Sequence, residues 1–418
     1  MTSHAVPLET ASPESVGMST DRLGRIGPVM EEYVADRGVV GISTVVARRG
    51  RVVHRAQFGH RDREAGQPMT ADTIFRIYSM TKPIVSTALM LLHEEGRFQL
   101  EHPVAQYLPA FGAVKVLSGE GTLVDPVRPM DIRDVLSHSS GLTYDFMADN
   151  PVAQQYRDHR IMNDAGRTLE QVIDELATLP LAFQPGERFH YSVGIDVAAR
   201  LIEVISGQPL GDFLSERLFE PLGMTDTGFG VAADQLDRLS AMYGLPDLVG
   251  DDYSVIQLAE AAMAGFNERI DVSATYPTGT PKVFQRGGLG LFSTADDYLR
   301  FALMLAADGR VGDQRIIGRK TLELMHSNHL PAGLLPIELL GLPVPGMGFG
   351  LGSRVMLDVA ASAGPGSVGE YGWAGAAKTY YWVDPAEDLV GLFMTQYMTG
   401  VLGPDRDFRS LVYQAIVD

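Results

Sequence analysis

The chain has 418 residues, a formal net charge of −18 and no cysteine. The acidic balance argues against nucleic acid or an anionic membrane surface as a partner, and the lack of cysteine excludes disulfides, thiol nucleophiles and cysteine metal sites. With 45% hydrophobic and 21% charged residues, the composition is that of an ordinary globular protein, and the length suits two lobes that share a core.

The first residues of the sequence do not predict a targeting signal. Its first ten residues contain no basic region followed by an apolar stretch, which predicts no secretory signal peptide and cytoplasmic residence. No window of about 18 uninterrupted apolar residues occurs, so no membrane-spanning helix is expected.

The first predicted elements are a helix and a hairpin. Apolar residues at helical spacing predict an amphipathic helix over residues 21–36. Residues 39–47 and 51–58 are rich in β-branched residues and predict two strands. Arg48-Arg49-Gly50 between them is a hairpin signal.

The most informative stretch is Ser79-Met80-Thr81-Lys82, which follows an extended segment, residues 73–78. It opens an apolar run over residues 83–92 that predicts a buried helix, with a proline tolerated in its first turn. One helical turn separates Ser79 from Lys82, so the amine can approach the hydroxyl. A serine needs such a neighbour to become a nucleophile. The same residues also fit an N-cap followed by a solvated lysine.

A second segment of interest contains Tyr191. Pro185-Gly186 marks a turn before it, and residues 195–205 after it predict a helix that ends at Ser206-Gly207. A lysine ammonium beside a tyrosine favours the phenolate, which can act as a general base. The alternative is an ordinary half-buried tyrosine that packs the loop on the helix.

A third segment, residues 371–377, is rich in small residues that let a ligand approach the backbone closely. Residues 379–383 after it predict a strand. A free backbone N–H at this strand edge beside the serine would complete an oxyanion hole. The alternative is a glycine-rich turn before a core strand.

Three motifs, taken in chain order, resemble those of the serine β-lactamase and penicillin-binding superfamily. Within that superfamily they most resemble the class C-like branch, the family VIII carboxylesterases. They are Ser79-Met80-Thr81-Lys82, Tyr191-Ser192-Val193 and Trp373-Ala374-Gly375. The resemblance covers nearly the whole chain, with further family-like stretches at residues 136–142, 221–224 and 287–294. It implies a serine esterase that acts on short-chain carboxylic esters through an acyl-enzyme and needs no metal or organic cofactor.

The resemblance also implies roles for individual residues. Ser79 would be the nucleophile, and Lys82 and Tyr191 would share the proton relay, with Tyr191 as the base and later the acid for the leaving alcohol. The backbone N–H groups of Ser79 and Ala376 would hold the oxyanion. The substrate-binding positions would be Val193, Trp373, Ala374 and Gly375.

Two departures from the family motifs favour esters over β-lactams. Val193 replaces an asparagine, and Trp373 replaces a lysine; these are the polar groups that help to hold a β-lactam. The family motif that Trp373-Ala374-Gly375 replaces is Lys-Thr-Gly. Lys378-Thr379 does not reproduce this motif, because Tyr380 stands where the motif has its glycine. The alternatives are a β-lactamase or an acyltransferase on the same site, or a penicillin-binding sensor that acylates without turnover. The implied partner is a small-molecule ester, and no oligomeric state is predicted.

The order of elements predicts an α/β fold of the α+β kind. An antiparallel sheet flanked by helices would be built from both chain ends, with a mostly helical lobe inserted between them, as in β-lactamases and penicillin-binding proteins. Residues 1–82 and 286–418 would form the sheet lobe and residues 83–285 the helical lobe, with the active site in the cleft between them. The closing elements would be a helix over 295–307, strands over 379–383 and 389–396, and a helix over 406–417. No G-x-S-x-G elbow occurs, which argues against the α/β-hydrolase fold.

The remaining candidates have structural interpretations. His138 is expected to pack a turn, and the spacing of His326 and His329 does not fit a metal site. Residues 244–282, with a helical tract at 255–266, and residues 330–352 are expected to be surface loops, with walls of the substrate pocket as the alternative.

Overall fold

The computed structural model describes residues 7–147, 150–244, 267–279, 283–339, 341–398 and 403–418. Its central feature is an antiparallel sheet of eight described strands, and both ends of the chain contribute to it, as predicted. In spatial order the strands are β14 (Met347–Phe349), β15 (Arg354–Met356), β16 (Tyr371–Ala374), β17 (Tyr380–Asp384), β18 (Leu389–Thr395), β1 (Gly41–Arg48), β2 (Arg51–Asp62) and β3 (Gln67–Pro68).

The predicted hairpin is the β1–β2 pair. Its two turn residues, Arg49 and Gly50, have φ angles of 52° and 75°. Positive φ at both central positions matches the strand twist of a tight hairpin, and glycine adopts it without steric cost. Every residue of β1 is buried, because β1 lies inside the sheet between β2 and β18 and helices cover both faces.

Helices pack on the two faces of the sheet. On one face, α2 (Ile26–Ala35) and α13 (Pro404–Tyr413) bury an apolar layer that includes Met30, Trp382 and Phe408. On the other face, α10 (Ala295–Ala306) contacts β1, β17 and β18. The described α-helices are α1 (Thr20–Leu23), α2 (Ile26–Ala35), α3 (Thr81–Glu94), α4 (Ile132–Leu136), α5 (Pro151–Asp158), α6 (Leu169–Leu176), α7 (Gly194–Ser206), α8 (Leu210–Leu214), α9 (Glu220–Leu222), α10 (Ala295–Ala306), α11 (Arg319–Met325), α12 (Val359–Ser362) and α13 (Pro404–Tyr413).

The single helix predicted over residues 21–36 is two helices, α1 and α2, which meet at Gly24 and Arg25. Pro28 explains the interruption. It has no backbone N–H, and in a continuous helix its ring would clash with the carbonyl of Gly24.

Helices α3 to α11 and several short strand pairs lie outside the large sheet. The pairs are β4 (Ile74–Arg76) with β9 (Phe292–Thr294), β5 (Val116–Leu117) with β6 (Leu123–Val124), β7 (Met242–Gly244) with β8 (Arg269–Ile270) and β19 (Tyr397–Met398), β10 (Arg310–Val311) with β11 (Gln314–Arg315), and β12 (Ile337–Leu339) with β13 (Leu342–Val344). The proposed lobe boundaries at 82 and 286 stay a prediction.

Of the two predicted loops, the helical tract at 255–266 lies outside the described residues. The segment 330–352 contains the β12–β13 hairpin and the edge strand β14, so it is more regular than expected. Among the described residues, no helix combines the length and the apolar character that a membrane span requires.

A buried ion-pair network fastens α13 to the sheet. The Glu370 side chain is fully buried and lies 3.0 Å from the Arg354 guanidinium and 2.5 Å from that of Arg409. The Tyr413 hydroxyl donates to the same carboxylate at 2.6 Å. Two arginines and a phenol thus satisfy one carboxylate that has no access to water.

We expect Glu370→Ala to lower the free energy of unfolding by about 3–5 kcal/mol, because it leaves two arginine charges uncompensated in the interior. Urea denaturation of the purified protein measures the loss. The matched control is Glu338→Ala on the exposed side of β12, expected to change stability by less than about 0.5 kcal/mol. Equal effects of the two variants would contradict this account of the network.

Candidate active site

Ser79 lies in a tight turn between a strand and a helix. Strand β4 pairs with β9, and the Ile77 N–H donates to the Leu291 carbonyl at 3.1 Å. A 3-10 turn over Tyr78–Met80 then leads directly into α3. Ser79 is left partly exposed at the start of a helix whose next two turns are buried.

The residue before Ser79 has an unusual backbone. Tyr78 has a φ of 43°, in the left-handed region that bulky residues rarely adopt. Such a conformation costs on the order of 1–3 kcal/mol, and it persists only where surrounding contacts impose it. Here the Tyr298 hydroxyl donates to the Met80 carbonyl, and the Leu291 N–H donates to the Thr81 hydroxyl. These contacts hold the turn that presents Ser79.

Lys82 reaches Ser79 from one turn along α3, as the spacing predicts. Its side chain is fully buried, and its ammonium donates to Ser79 Oγ at 3.0 Å and to the Gly288 carbonyl at 2.6 Å. The ammonium also lies 4.7 Å from the ring centroid of Tyr191 and 5.4 Å from that of Tyr144. The interpretation as a solvated lysine is therefore excluded.

Tyr191 completes a three-residue cluster. Its hydroxyl shares a hydrogen bond of 2.7 Å with Ser79 Oγ. Backbone hydrogen bonds from His190 to His138 and from Val193 to Thr143 fix the segment on both sides, immediately before α7 begins at Gly194. Ser79, Lys82 and Tyr191, predicted as one unit, therefore lie together.

The glycine motif lies against the turn of the nucleophile. A Cβ on Gly375 would lie 2.4 Å from the Ile77 carbonyl oxygen, so only glycine allows this approach. The Thr379 hydroxyl donates to the same carbonyl at 3.3 Å. Among the described residues, neither the Ser79 nor the Ala376 backbone N–H has a hydrogen-bond acceptor. Both remain available to a developing oxyanion.

The predicted substrate-binding residues differ in accessibility. Ala374 is exposed, and Gly375 is partly exposed. Trp373 is 6% exposed and packs against Tyr191 with ring centroids 5.5 Å apart. Val193 is 1% exposed and faces a buried group that includes Ile161, Met162 and Val172. A role for Val193 in substrate contact stays a prediction.

Two further rings surround the cluster. His138 is fully buried, with its ring centroid 4.8 Å from that of Tyr191 and its Nδ1 3.2 Å from Ser192 Oγ. Burial, and then the charge of Lys82, hold the pKa of His138 well below its usual value, so the imidazole is neutral. Burial, and then its neighbour Tyr191, raise the pKa of Tyr144 well above its usual value, so its hydroxyl keeps its proton.

Sequence reasoning did not single out Tyr144, Gly288 or Asp196, whose carboxylate accepts the Gly288 N–H at 3.1 Å. Weak signals existed. Tyr144 closely follows the family-like stretch 136–142, and Gly288 lies inside another. Asp196 is a charged residue within the apolar start of α7. Among the described residues, no group of histidine and acidic side chains is arranged to hold a metal ion.

Comparisons with known proteins identify the family of the chain. A family model described as beta-lactamase matches residues 28–414. An uncharacterized protein of Mycobacterium tuberculosis is 38% identical over 373 residues, which cover 87% of this chain and 88% of that protein. Esterase EstB of Burkholderia gladioli is 31% identical over 401 residues, which cover 91% and 92% of the two chains.

Among solved structures, EstCE1, described as a hydrolase with promiscuous acyltransferase activity, matches with a TM-score of 0.76 and 28% identity. The match covers 94% of this chain and 99% of EstCE1. The predictions of the superfamily, the fold class and a hydrolytic enzyme are confirmed. The chain belongs to the beta-lactamase family, and it is a serine hydrolase with esterases among its relatives.

Proposed function

We propose that this chain is a family VIII-type carboxylesterase that hydrolyses short-chain esters through an acyl-enzyme at Ser79. The observation that carries the proposal is that Ser79 Oγ is bound by both the Lys82 ammonium and the Tyr191 hydroxyl, at 3.0 Å and 2.7 Å. The order of the three motifs and the likeness to relatives named as esterases support the choice of ester substrates. Cytoplasmic residence and the exclusion of nucleic acid stay predictions from the sequence.

In the first half of the reaction, Tyr191 as the phenolate takes the proton of Ser79 while Oγ attacks the ester carbonyl. The Lys82 ammonium, which lies over the Tyr191 ring, stabilises the phenolate. The bond between the acyl carbon and the alkoxy oxygen then breaks. Tyr191 returns the proton to the leaving alcohol, and the acyl group stays on Ser79.

In the second half, water attacks the acyl carbon and gives a proton to Tyr191. The bond from the acyl carbon to Ser79 Oγ breaks, Tyr191 returns the proton to Ser79 Oγ, and the carboxylic acid leaves. In both halves negative charge develops on the former carbonyl oxygen. The free N–H groups of Ser79 and Ala376 are the donors that we assign to it; removal of one such donor typically costs about 10²–10³ in kcat.

We expect the enzyme to hydrolyse p-nitrophenyl acetate or butyrate with a kcat/KM several orders of magnitude above that for nitrocefin. By the motif resemblance, Val193 and Trp373 replace the asparagine and the lysine that help to hold a β-lactam, and each lost contact costs about 1–3 kcal/mol, or roughly 10- to 100-fold in rate. A simple ester carries neither group. Spectrophotometric assays with both substrates on one sample measure the ratio.

The same two assays separate the other candidates. Comparable kcat/KM values for nitrocefin and the ester would contradict the proposal and indicate a β-lactamase. A single burst of nitrophenol equal to the enzyme concentration, with no turnover after it, would indicate a sensor. A series of nitrophenyl esters from acetate to decanoate would then test the preference for short chains.

Acyl transfer is a second candidate, because EstCE1 is described as having promiscuous acyltransferase activity. In that reaction an alcohol replaces water as the acceptor of the acyl group from Ser79. Analysis of products from a vinyl ester in the presence of a primary alcohol distinguishes the two outcomes. A carboxylic acid as the main product supports hydrolysis, and a new ester as the main product supports transfer.

A further inference from the structure

The glycine-rich loop of residues 286–290 is pressed between α3 and α7. A Cβ on Gly287 would lie 2.5 Å from the Cβ of Ala199 on α7, and a Cβ on Gly288 would lie 2.5 Å from Asp196 Oδ2. Gly288 therefore has to be a glycine because Asp196 occupies the space beside it. This close packing fixes the loop against both helices.

Gly288 links a buried carboxylate to the buried lysine. Its carbonyl accepts from the Lys82 ammonium at 2.6 Å, and its N–H donates to Asp196 Oδ1 at 3.1 Å. The chain of contacts from Asp196 through Gly288 and Lys82 ends at Ser79 Oγ. Every side chain in it except that of Ser79 is removed from solvent.

Asp196 lies close enough to two buried cations, Arg286 and Lys82, to interact with both charges. It is 3% exposed in the first turn of α7, and its Oδ2 atom has no hydrogen-bond partner among the described residues. Burial raises the pKa of Asp196 above its usual value, and the charges of Arg286 and Lys82 and the Gly288 N–H offset only part of that rise. An incompletely satisfied carboxylate in the interior is costly, so its retention here calls for a reason.

Lys82 in turn has no direct ion pair among the described residues. Its polar contacts are the Ser79 hydroxyl and the Gly288 carbonyl, both neutral. An ammonium without access to water needs a compensating negative charge nearby. Asp196, on the far side of Gly288, is the carboxylate placed to supply it.

We propose that Asp196 is a positioning residue for Lys82: its carboxylate holds the Gly288 carbonyl on the ammonium and supplies a negative charge that compensates this buried cation. The inference rests on the proposed roles of Ser79 and Lys82 in ester hydrolysis. It adds a fourth member to the cluster, one that acts through another residue and touches no substrate.

The other groups around this pair do not supply that charge. His138 is neutral and Tyr144 keeps its proton, for the reasons given above. Arg286 is itself positive, and its guanidinium donates to the Ile161 and Asp164 carbonyls. Burial raises the pKa of Asp145, near Arg286, to about 7, so this carboxyl is only partly ionised at neutral pH. In the described part of the chain, the titratable or charged groups around Asp196 and Lys82 are thus Arg286, Tyr144, Tyr191 and His138, and Asp145 interacts with Arg286 and Tyr144.

The test is Asp196→Asn, which keeps an acceptor for the Gly288 N–H and removes the charge. We expect kcat for p-nitrophenyl acetate at pH 7 to fall roughly 10-fold with little change in KM. The alkaline limb of the kcat/KM profile should move to lower pH, because the variant removes a negative charge beside the Ser79–Lys82–Tyr191 cluster. A merely structural role would lower kcat without moving this limb.

Asp297→Asn is the matched control. Asp297 is also a buried aspartate in the first turn of a helix, α10, but its partners are the Asp226 N–H and the Thr227 hydroxyl. Its variant should lose stability and keep the wild-type pH profile. An unmoved alkaline limb in Asp196→Asn, or an equal shift in both variants, would overturn the inference.

Two further measurements keep the test decisive. If Asp196→Asn does not fold, Gly288→Ala leaves the charge in place but displaces it, and the alkaline limb should again move to lower pH. Absence of that shift would count against the proposal. If wild-type protein neither hydrolyses the ester nor accepts a fluorophosphonate on Ser79, the proposed function fails. If the wild type is active but the pH profile of Asp196→Asn is unchanged, only the role of Asp196 is overturned.

Discussion

Replacement of Ser79 by alanine is expected to lower kcat for p-nitrophenyl acetate by at least ~10³ and to leave the fold intact. Ser79 Oγ is the atom on which the Lys82 ammonium and the Tyr191 hydroxyl converge. Without Ser79 Oγ no acyl-enzyme forms. Water then has to attack the ester directly, and only oxyanion stabilisation and substrate binding accelerate that reaction. Steady-state kinetics together with circular dichroism measure the two parts of this prediction.

A matched control comes from the same helix. Ser86 is a fully buried serine of α3 whose Oγ has no hydrogen-bond partner among the described residues. Ser86→Ala should therefore retain near-wild-type kcat. Mass spectrometry after treatment with a fluorophosphonate should find the label on Ser79 alone. A label on another serine, or Ser79→Ala activity within 10-fold of wild type, would refute the assignment of the nucleophile.

Local elements were predictable because their signals lie in neighbouring residues. The β1–β2 turn follows from Arg49-Gly50, and α7 ends where Gly207 adopts a φ of 78°. The contact between Ser79 and Lys82 follows from one turn of helix. In each case residues a few positions apart are sufficient to determine the geometry.

Contacts between segments that are distant in the chain were harder to predict from the sequence. Tyr191 is 112 residues from Ser79, and only the family resemblance suggested that they meet. Lys82 and the Gly288 carbonyl are 206 residues apart, and no pattern in either segment indicates the pair. The strained φ of Tyr78 is likewise imposed by packing around the turn. Tertiary packing determines these features, and no short segment of the sequence predicts them.

The second large effect concerns the proton relay. We expect Lys82→Met and Tyr191→Phe each to lower kcat by roughly 10²–10⁴, the usual worth of general acid–base catalysis. Methionine keeps the volume of the fully buried lysine, and phenylalanine keeps the ring that packs on Trp373 and His138. The variants thus remove the amine or the hydroxyl with little loss of packing.

The double variant distinguishes one catalytic unit from two independent groups. The Lys82 ammonium lies over the Tyr191 ring and both groups bind Ser79 Oγ, so we expect each to depend on the other for the proton transfer. Kinetic analysis of all four proteins should therefore find the double variant little slower than the slower single variant.

Tyr156→Phe, which removes the hydroxyl of another fully buried tyrosine, is the control and should retain wild-type kcat. Losses that multiply in the double variant would show that the two residues act separately. The 2.7 Å and 3.0 Å contacts to Ser79 would then be parallel contributions and not a single relay.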